Sequence, residues 1–214
     1  MAMNTNFTVL SYNESLLRKS DVDLLKGPHW LNDTIISFYF EYLESDFFKN
    51  NNSYLFISPE VTQCIKISPQ QELKVFLDPL IKEKNPNFIF FALNDNELTE
   101  YSGGSHWSLL VYSRPEKVTC HYDSSRGSNE NQALDLAQKI LKYFGLHIEG
   151  RYEEIPCLQQ NNGYDCGIHV LCNTEQLASY AGHYGKIKGC PKITADQVQA
   201  KRLEILKLIE RLSR

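Results

Sequence analysis

Two apolar runs, Trp107-Ser108-Leu109-Leu110-Val111-Tyr112 and Val118-Thr119-Cys120-His121-Tyr122, are separated only by Ser113-Arg114-Pro115-Glu116-Lys117. Runs rich in aromatic and β-branched residues, joined by a short polar loop, read as an antiparallel hairpin. Just upstream, Phe88-Ile89-Phe90-Phe91-Ala92-Leu93 reads as a further buried strand, followed by a polar loop through Asn94, Asp95, Asn96 and Gly103-Gly104. Any fold for this chain must accommodate these three strands in its middle, with helical patterns on either side in sequence. That order predicts an α+β domain.

The helical patterns carry their own punctuation. Asn32 or Asp33 caps a helix bearing Ile35, Ile36, Phe38, Tyr39, Phe40, Tyr42 and Leu43, apolar nearly all round and therefore buried. Ser58-Pro59-Glu60 combines an N-cap serine, proline at the first helical position and an acid in the first turn. A short helix is expected over 70–77, stopping before Pro79. Ser128 is expected to cap a helix that Gly145 ends. A short strand follows near 152–155, a helix runs over about 166–180, and Thr194-Ala195-Asp196-Gln197 opens the last helix as a capping box. No repeat or Gly/Ser linker interrupts the 214 residues, so a single domain over 1–214 is expected, with 1–8 as a tail.

Composition removes several function classes. The balance of 26 acidic against 22 basic side chains gives no basic footprint for a nucleic acid. No apolar run is long enough to span a bilayer, and the N-terminus lacks the pattern of a secretory signal. The six cysteines (64, 120, 157, 166, 172, 190) are dispersed, with no C-x-x-C pair or His-Cys cluster at zinc spacing. Reduced thiols, no metal and a cytoplasmic or nuclear location are therefore expected.

Chemistry concentrates in two places. Gln159-Gln160-Asn161-Asn162-Gly163-Tyr164-Asp165-Cys166-Gly167 sets a cysteine between a turn and an apolar run. At a helix N-terminus, unpaired N–H groups and the dipole favour thiolate over thiol. The other place is the hairpin. With its turn centred near Arg114 and Pro115, His106 lies opposite Asp123, the pairing in which a carboxylate holds an imidazole in one tautomer. Bland alternatives stand beside each: a buried structural cysteine, an aromatic strand end, a plain Asx-turn at Asp123-Ser124-Ser125. His121 competes as the base but is expected to lack a comparable acid. His169 is expected to be a packed or surface histidine.

These residues resemble, in order, the ubiquitin-like-protein proteases of the Ulp/sentrin-specific class: Gly104-Ser105-His106-Trp107-Ser108-Leu109, then Tyr122-Asp123-Ser124, then Gln159 to Gly167. The chain is most similar to the Nedd8-directed, deneddylating branch. The likeness extends to Val9-Leu10-Ser11-Tyr12, Trp30-Leu31-Asn32-Asp33, Ile57-Ser58-Pro59-Glu60-Val61-Thr62-Gln63 and Leu93-Asn94-Asp95-Asn96, covering about 9–175. Residues 181–193 match no pattern.

The resemblance implies a papain-like cysteine-protease fold with a central, mostly antiparallel sheet. It implies His106, Asp123 and Cys166 as the catalytic triad and Gln160, six positions before the cysteine, as an oxyanion donor. No cofactor is required. The expected partner is Nedd8, cleaved after its terminal Gly-Gly in precursor or conjugates such as cullins, by a monomer. Trp30 and Trp107 are expected to wall a narrow channel that only glycines pass, against the alternative of ordinary core tryptophans. Asp33, Asn94, Asp95 and Glu97 are candidates for pairing with a basic modifier tail, against the alternative of solvated loop residues. A SUMO- or ubiquitin-directed protease, or a non-catalytic binder of ubiquitin-like proteins, are the other readings.

Overall fold

The computed structural model describes residues 6–97 and 103–214. A small hairpin, β1 (Thr8–Tyr12) with β2 (Ser15–Arg18), leads through α1 (Lys19–Leu24) into α2 (Asp33–Tyr42). Asn32 is the N-cap of α2, its side chain accepting from the Ile35 N–H. The main sheet has the order β3-β4-β5-β6-β7, built from β3 (Tyr54–Ile57), β4 (Phe88–Asn94), β5 (Trp107–Ser113), β6 (Val118–Tyr122) and β7 (Arg151–Glu154). Its centre, β4-β5-β6, is antiparallel as the hairpin requires, while each edge strand pairs in parallel. Parallel neighbours need a crossover, and helices supply it. On one side these are α3 (Pro59–Ile67) and α4 (Leu73–Lys84), on the other α5 (Glu130–Tyr143).

Both faces of the sheet are covered, which explains why β4 and β5 are buried almost throughout. Phe88, Phe90, Ala92, Leu109 and Val111 face one core, shared with α2, α6 (Cys166–Tyr184) and α7 (Ala195–Leu212). Ile89, Phe91, Leu93, Leu110 and Tyr112 face the other, shared with α3, α4 and α5. No helix of the described residues is long and apolar enough to cross a membrane.

Four local expectations are corrected. The helix expected at 70–77 runs through Pro79 to Lys84. The proline removes the bond to the carbonyl of Val75, an outward-facing residue 70% exposed, where water can replace the donor. The cap of α5 is Asn129, not Ser128, and α6 continues to Tyr184, where Gly185 adopts a left-handed φ of 67°. The hairpin register also differs from the expected one: Leu109 pairs with Tyr122 and Ser113 with Val118, because the turn holds four residues with Lys117 at φ 50°. This slides the partner of every β5 residue by two. An even slip keeps each side chain on its face, so His106 and Asp123, each one residue beyond its strand, remain diagonal neighbours within side-chain reach.

Candidate active site

The two strand ends and the start of α6 converge. His106 Nε2 donates to Asp123 Oδ1 at 2.6 Å, in a contact whose two residues are 7% and 5% exposed. The same carboxylate accepts the Ser125 N–H at Oδ1 (2.9 Å) and the Asn129 N–H at Oδ2 (3.1 Å). The Asx-turn read as a bland alternative is therefore present, and it aims the acid. The Cys166 thiol lies near enough to the same imidazole to favour its charged form. With Nε2 engaged by Asp123, Nδ1 is the nitrogen left for the sulfur. Burial alone would push His106 down, but the hydrogen bond and charge of Asp123, together with the nearby Cys166 sulfur, overcome it and raise the imidazole to about 9. Burial likewise opposes the charge on Asp123, yet His106 and the two backbone donors hold its carboxyl below the usual range.

Cys166 is the first residue of α6, with Asp165 as N-cap, and is 2% exposed. Gly167 lets the helix approach Leu31 closely: an added Cβ would lie 3.0 Å from the Leu31 side chain. Gln160 is held by its own shell. Ser124 Oγ donates to Gln160 Oε1 at 2.8 Å, fixing which end of the amide faces which way. One Nε2 hydrogen meets the Asn162 carbonyl at 2.6 Å, which leaves the other unassigned. Asn162 in turn accepts the N–H groups of Tyr164 and Asp165, shaping the loop that delivers Cys166.

Each tryptophan is held by an indole hydrogen bond to a backbone carbonyl. Trp107 Nε1 donates to the Leu31 carbonyl at 3.0 Å. Trp30, 51% exposed, donates from Nε1 to the Gly163 carbonyl, so its ring stands over the turn before the cysteine. The four candidate tail-binding residues diverge. Asp33 is exposed at the start of α2, and its carboxylate accepts from the N–H and hydroxyl of Thr34. Glu97 is exposed and accepts from Gln132. Asn94 and Asp95, by contrast, are committed internally. Asn94 Oδ1 accepts from the Asn96 N–H. Both Asp95 oxygens are taken, Oδ1 by the N–H groups of Ser105 and His106 and Oδ2 by the Ser105 hydroxyl. The structure thus gives Asp95 the task of setting the backbone that carries His106. Gly104 makes this turn possible at φ 97°, where an added Cβ would sit 1.8 Å from Asn94 Oδ1.

His121 does have an acid, contrary to expectation: its Nδ1 meets Glu154 Oε1 at 2.7 Å and its Nε2 meets Ser108 Oγ at 2.9 Å. It is nevertheless fully buried within β6 and directed at Ser108. Asn129 also bonds Ser108 Oγ, at 2.9 Å, so this network supports the residue that holds Asp123. His169 is packed, 3% exposed, and burial pushes it down. Sequence reasoning did not find the roles of Ser124, Asn129, Asn162 or Asp95. The dense run of Ser, Asn and Asp beside both motifs was the available signal, since such side chains bond nearby backbone.

A sheet packed on the helix that presents a cysteine, with a histidine-aspartate pair facing the thiol, defines a papain-like thiol peptidase. The chain belongs to the Ulp1 protease family, whose C-terminal catalytic domain matches residues 29–213. It is 42% identical to Sentrin-specific protease 8 of Rattus norvegicus over 209 residues, covering 96% of this chain and 95% of that one. It is 33% identical to NEDD8-specific protease 1 of Arabidopsis thaliana, covering 95% and 93%. In fold it is similar to the C-terminal Ulp1 protease domain in complex with Smt3, the yeast ortholog of SUMO. That match has a TM-score of 0.76 at 22% identity, over 99% of this chain and 90% of the other.

Proposed function

We propose that this thiol peptidase cleaves after the C-terminal Gly-Gly of Nedd8, processing its precursor and releasing it from conjugates such as cullins. The observation that carries the chemistry is the His106–Asp123 contact beside the thiol at the start of α6. The name of the Arabidopsis relative, NEDD8-specific protease 1, supports the choice of modifier.

Cys166 thiolate attacks the carbonyl carbon of the terminal glycine while imidazolium His106 stands beside it. The oxyanion that forms is held by the free Nε2 hydrogen of Gln160 and the Cys166 backbone N–H. His106 then gives its proton to the departing amine, leaving a thioester and a neutral imidazole. That imidazole takes a proton from the water that hydrolyses the thioester. Trp30 and Trp107 flank the groove, where glycines pass most readily, and exposed Asp33 and Glu97 are offered to a basic tail. One chain carries every group in this scheme, so a monomer suffices, and its free thiol suits the reducing cytosol and nucleus.

Two outcomes follow. Gln160→Ala should lower kcat by about 10²–10³-fold with little change in KM. Ser124→Ala, which only frees the amide to turn, should have a smaller effect of the same kind, and steady-state kinetics on both separates orientation from presence. The rate should also fall as pH rises through about 9, because His106 loses the proton owed to the leaving amine. The same raised value stabilises the fold below about 6.5, and this contribution disappears as pH climbs through about 9. A pH profile of kcat/KM checks the first point and a melting series the second.

The function itself is tested with C-terminal electrophilic probes of Nedd8, SUMO and ubiquitin applied side by side. Selective labelling by Nedd8 is expected. Preferential SUMO or ubiquitin labelling would replace the modifier, and no labelling would favour a non-catalytic binder.

A further inference from the structure

Arg202 lies on α7, outside every motif discussed above, yet its guanidinium reaches both sides of the groove. Nε and Nη2 donate to Asp165 Oδ1 at 3.0 and 2.8 Å, and Nη2 also approaches the Tyr164 carbonyl at 3.4 Å. Nη1 donates to the Leu24 carbonyl at 2.8 Å and Nη2 to the His29 carbonyl at 2.7 Å. The guanidinium carbon sits 5.7 Å from the Tyr164 ring centroid. Both partners of the ion pair have side chains only 16% exposed. Asp165 immediately precedes Cys166, and His29 immediately precedes Trp30. One side chain therefore fastens the segment carrying the tryptophan wall to the segment delivering the cysteine.

We propose that Arg202 is a positioning residue that clamps the two walls of the Gly-Gly groove, setting where the modifier's terminal carbonyl meets Cys166. The clamp rests on the reading that the groove beside Trp30 receives the modifier tail. Its chemistry is specific to arginine. A planar fork with five donors can serve a carboxylate on one side and two carbonyls on the other, and it is largely shielded from water here. A lysine ammonium retains the charge beside Asp165 but cannot span both walls. The indole bond from Trp30 to the Gly163 carbonyl spans the same two segments nearer the solvent, so loosening Arg202 leaves that exposed bond and the packing of Gly167 on Leu31 to hold them. A misplacement of about 1 Å at the reacting centre costs about 10²-fold in rate.

The experiment compares two rates in each variant. One is cleavage of a Nedd8 precursor; the other is alkylation of Cys166 by iodoacetamide, followed at its own peptide by mass spectrometry because Cys64 is exposed. R202K should lose about 10- to 100-fold in kcat for the precursor, while alkylation stays within about threefold. The paired variant R202M/D165N removes the clamp without leaving a charge unpaired and should behave alike. Iodoacetamide needs no groove, so a general loss of structure would not separate the two rates. Cleavage by R202K and the paired variant within twofold of the parent, or equal losses in cleavage and alkylation, would overturn the clamp. A parent chain that cleaves no Gly-Gly precursor would instead overturn the reading on which it rests, and the clamp with it.

Discussion

Cys166→Ala is expected to reduce turnover of a Nedd8 substrate by about 10⁴–10⁶-fold, the scale on which removal of a nucleophile acts when binding and oxyanion donors remain. Affinity for the modifier should hold, because alanine removes only the sulfur and leaves the indole bonds of Trp30 and Trp107 to the Gly163 and Leu31 carbonyls in place. Alanine introduces no bulk at a site 2% exposed, so the close approach of Gly167 to Leu31 survives. The substitution carries a second signature. The thiol is among the groups that raise His106 to about 9, so the imidazole in Cys166→Ala should titrate lower than in the parent. NMR of the His106 ring reads this directly. Turnover near the parent rate, or an unmoved imidazole, would remove Cys166 from the role.

His106→Ala should be nearly as damaging, since it removes both the proton donor to the leaving amine and the base beside the nucleophile. Asp123→Asn is the sharper companion. Both carboxylate oxygens accept from N–H donors: Oδ1 from His106 and Ser125, Oδ2 from Asn129. An amide placed there must turn its NH₂ toward at least one of those donors, whichever way it flips. The variant should thus lose about 1–3 kcal/mol of stability from the buried unpaired groups. Its rate should fall by about 10⁴-fold through loss of imidazole orientation. Denaturant titration and kinetics on the same preparation separate the two losses. Unchanged stability with a large rate loss would mean that the backbone donors are not engaged as described.

The hairpin shows how the site was legible in sequence although its register was not. Reading the turn at Arg114 and Pro115 misplaced every cross-strand partner by two, because four residues with Lys117 left-handed make the turn. The error was even, so His106 and Asp123 stayed on the same face and still met. The cysteine helix was legible because an Asn-Gly-Tyr-Asp turn followed by an apolar run has few other readings. Asp95 was placed with the substrate because a loop acid looks free in one dimension, and only the fold returns Ser105 and His106 to it. The parallel edges of the sheet depend on crossovers whose direction no strand pattern encodes. The acid of His121 was missed for a similar reason: Glu154 lies on β7, which reaches β6 only through the α5 crossover. Arg202, like them, acts across long separations, touching residues far away in the chain, and nothing in its own helix distinguishes it from a surface arginine.

In the proposed mechanism Cys166, and no other thiol, takes the acyl group from Nedd8. The direct measurement is to react the chain with Nedd8 bearing a C-terminal electrophile and map the adduct among its six cysteines by peptide mass spectrometry. One adduct is expected, on the peptide containing Cys166, suppressed in His106→Ala. An adduct on Cys157, which lies beside the Asp123 carbonyl, or on exposed Cys64 with Cys166 untouched, would contradict it.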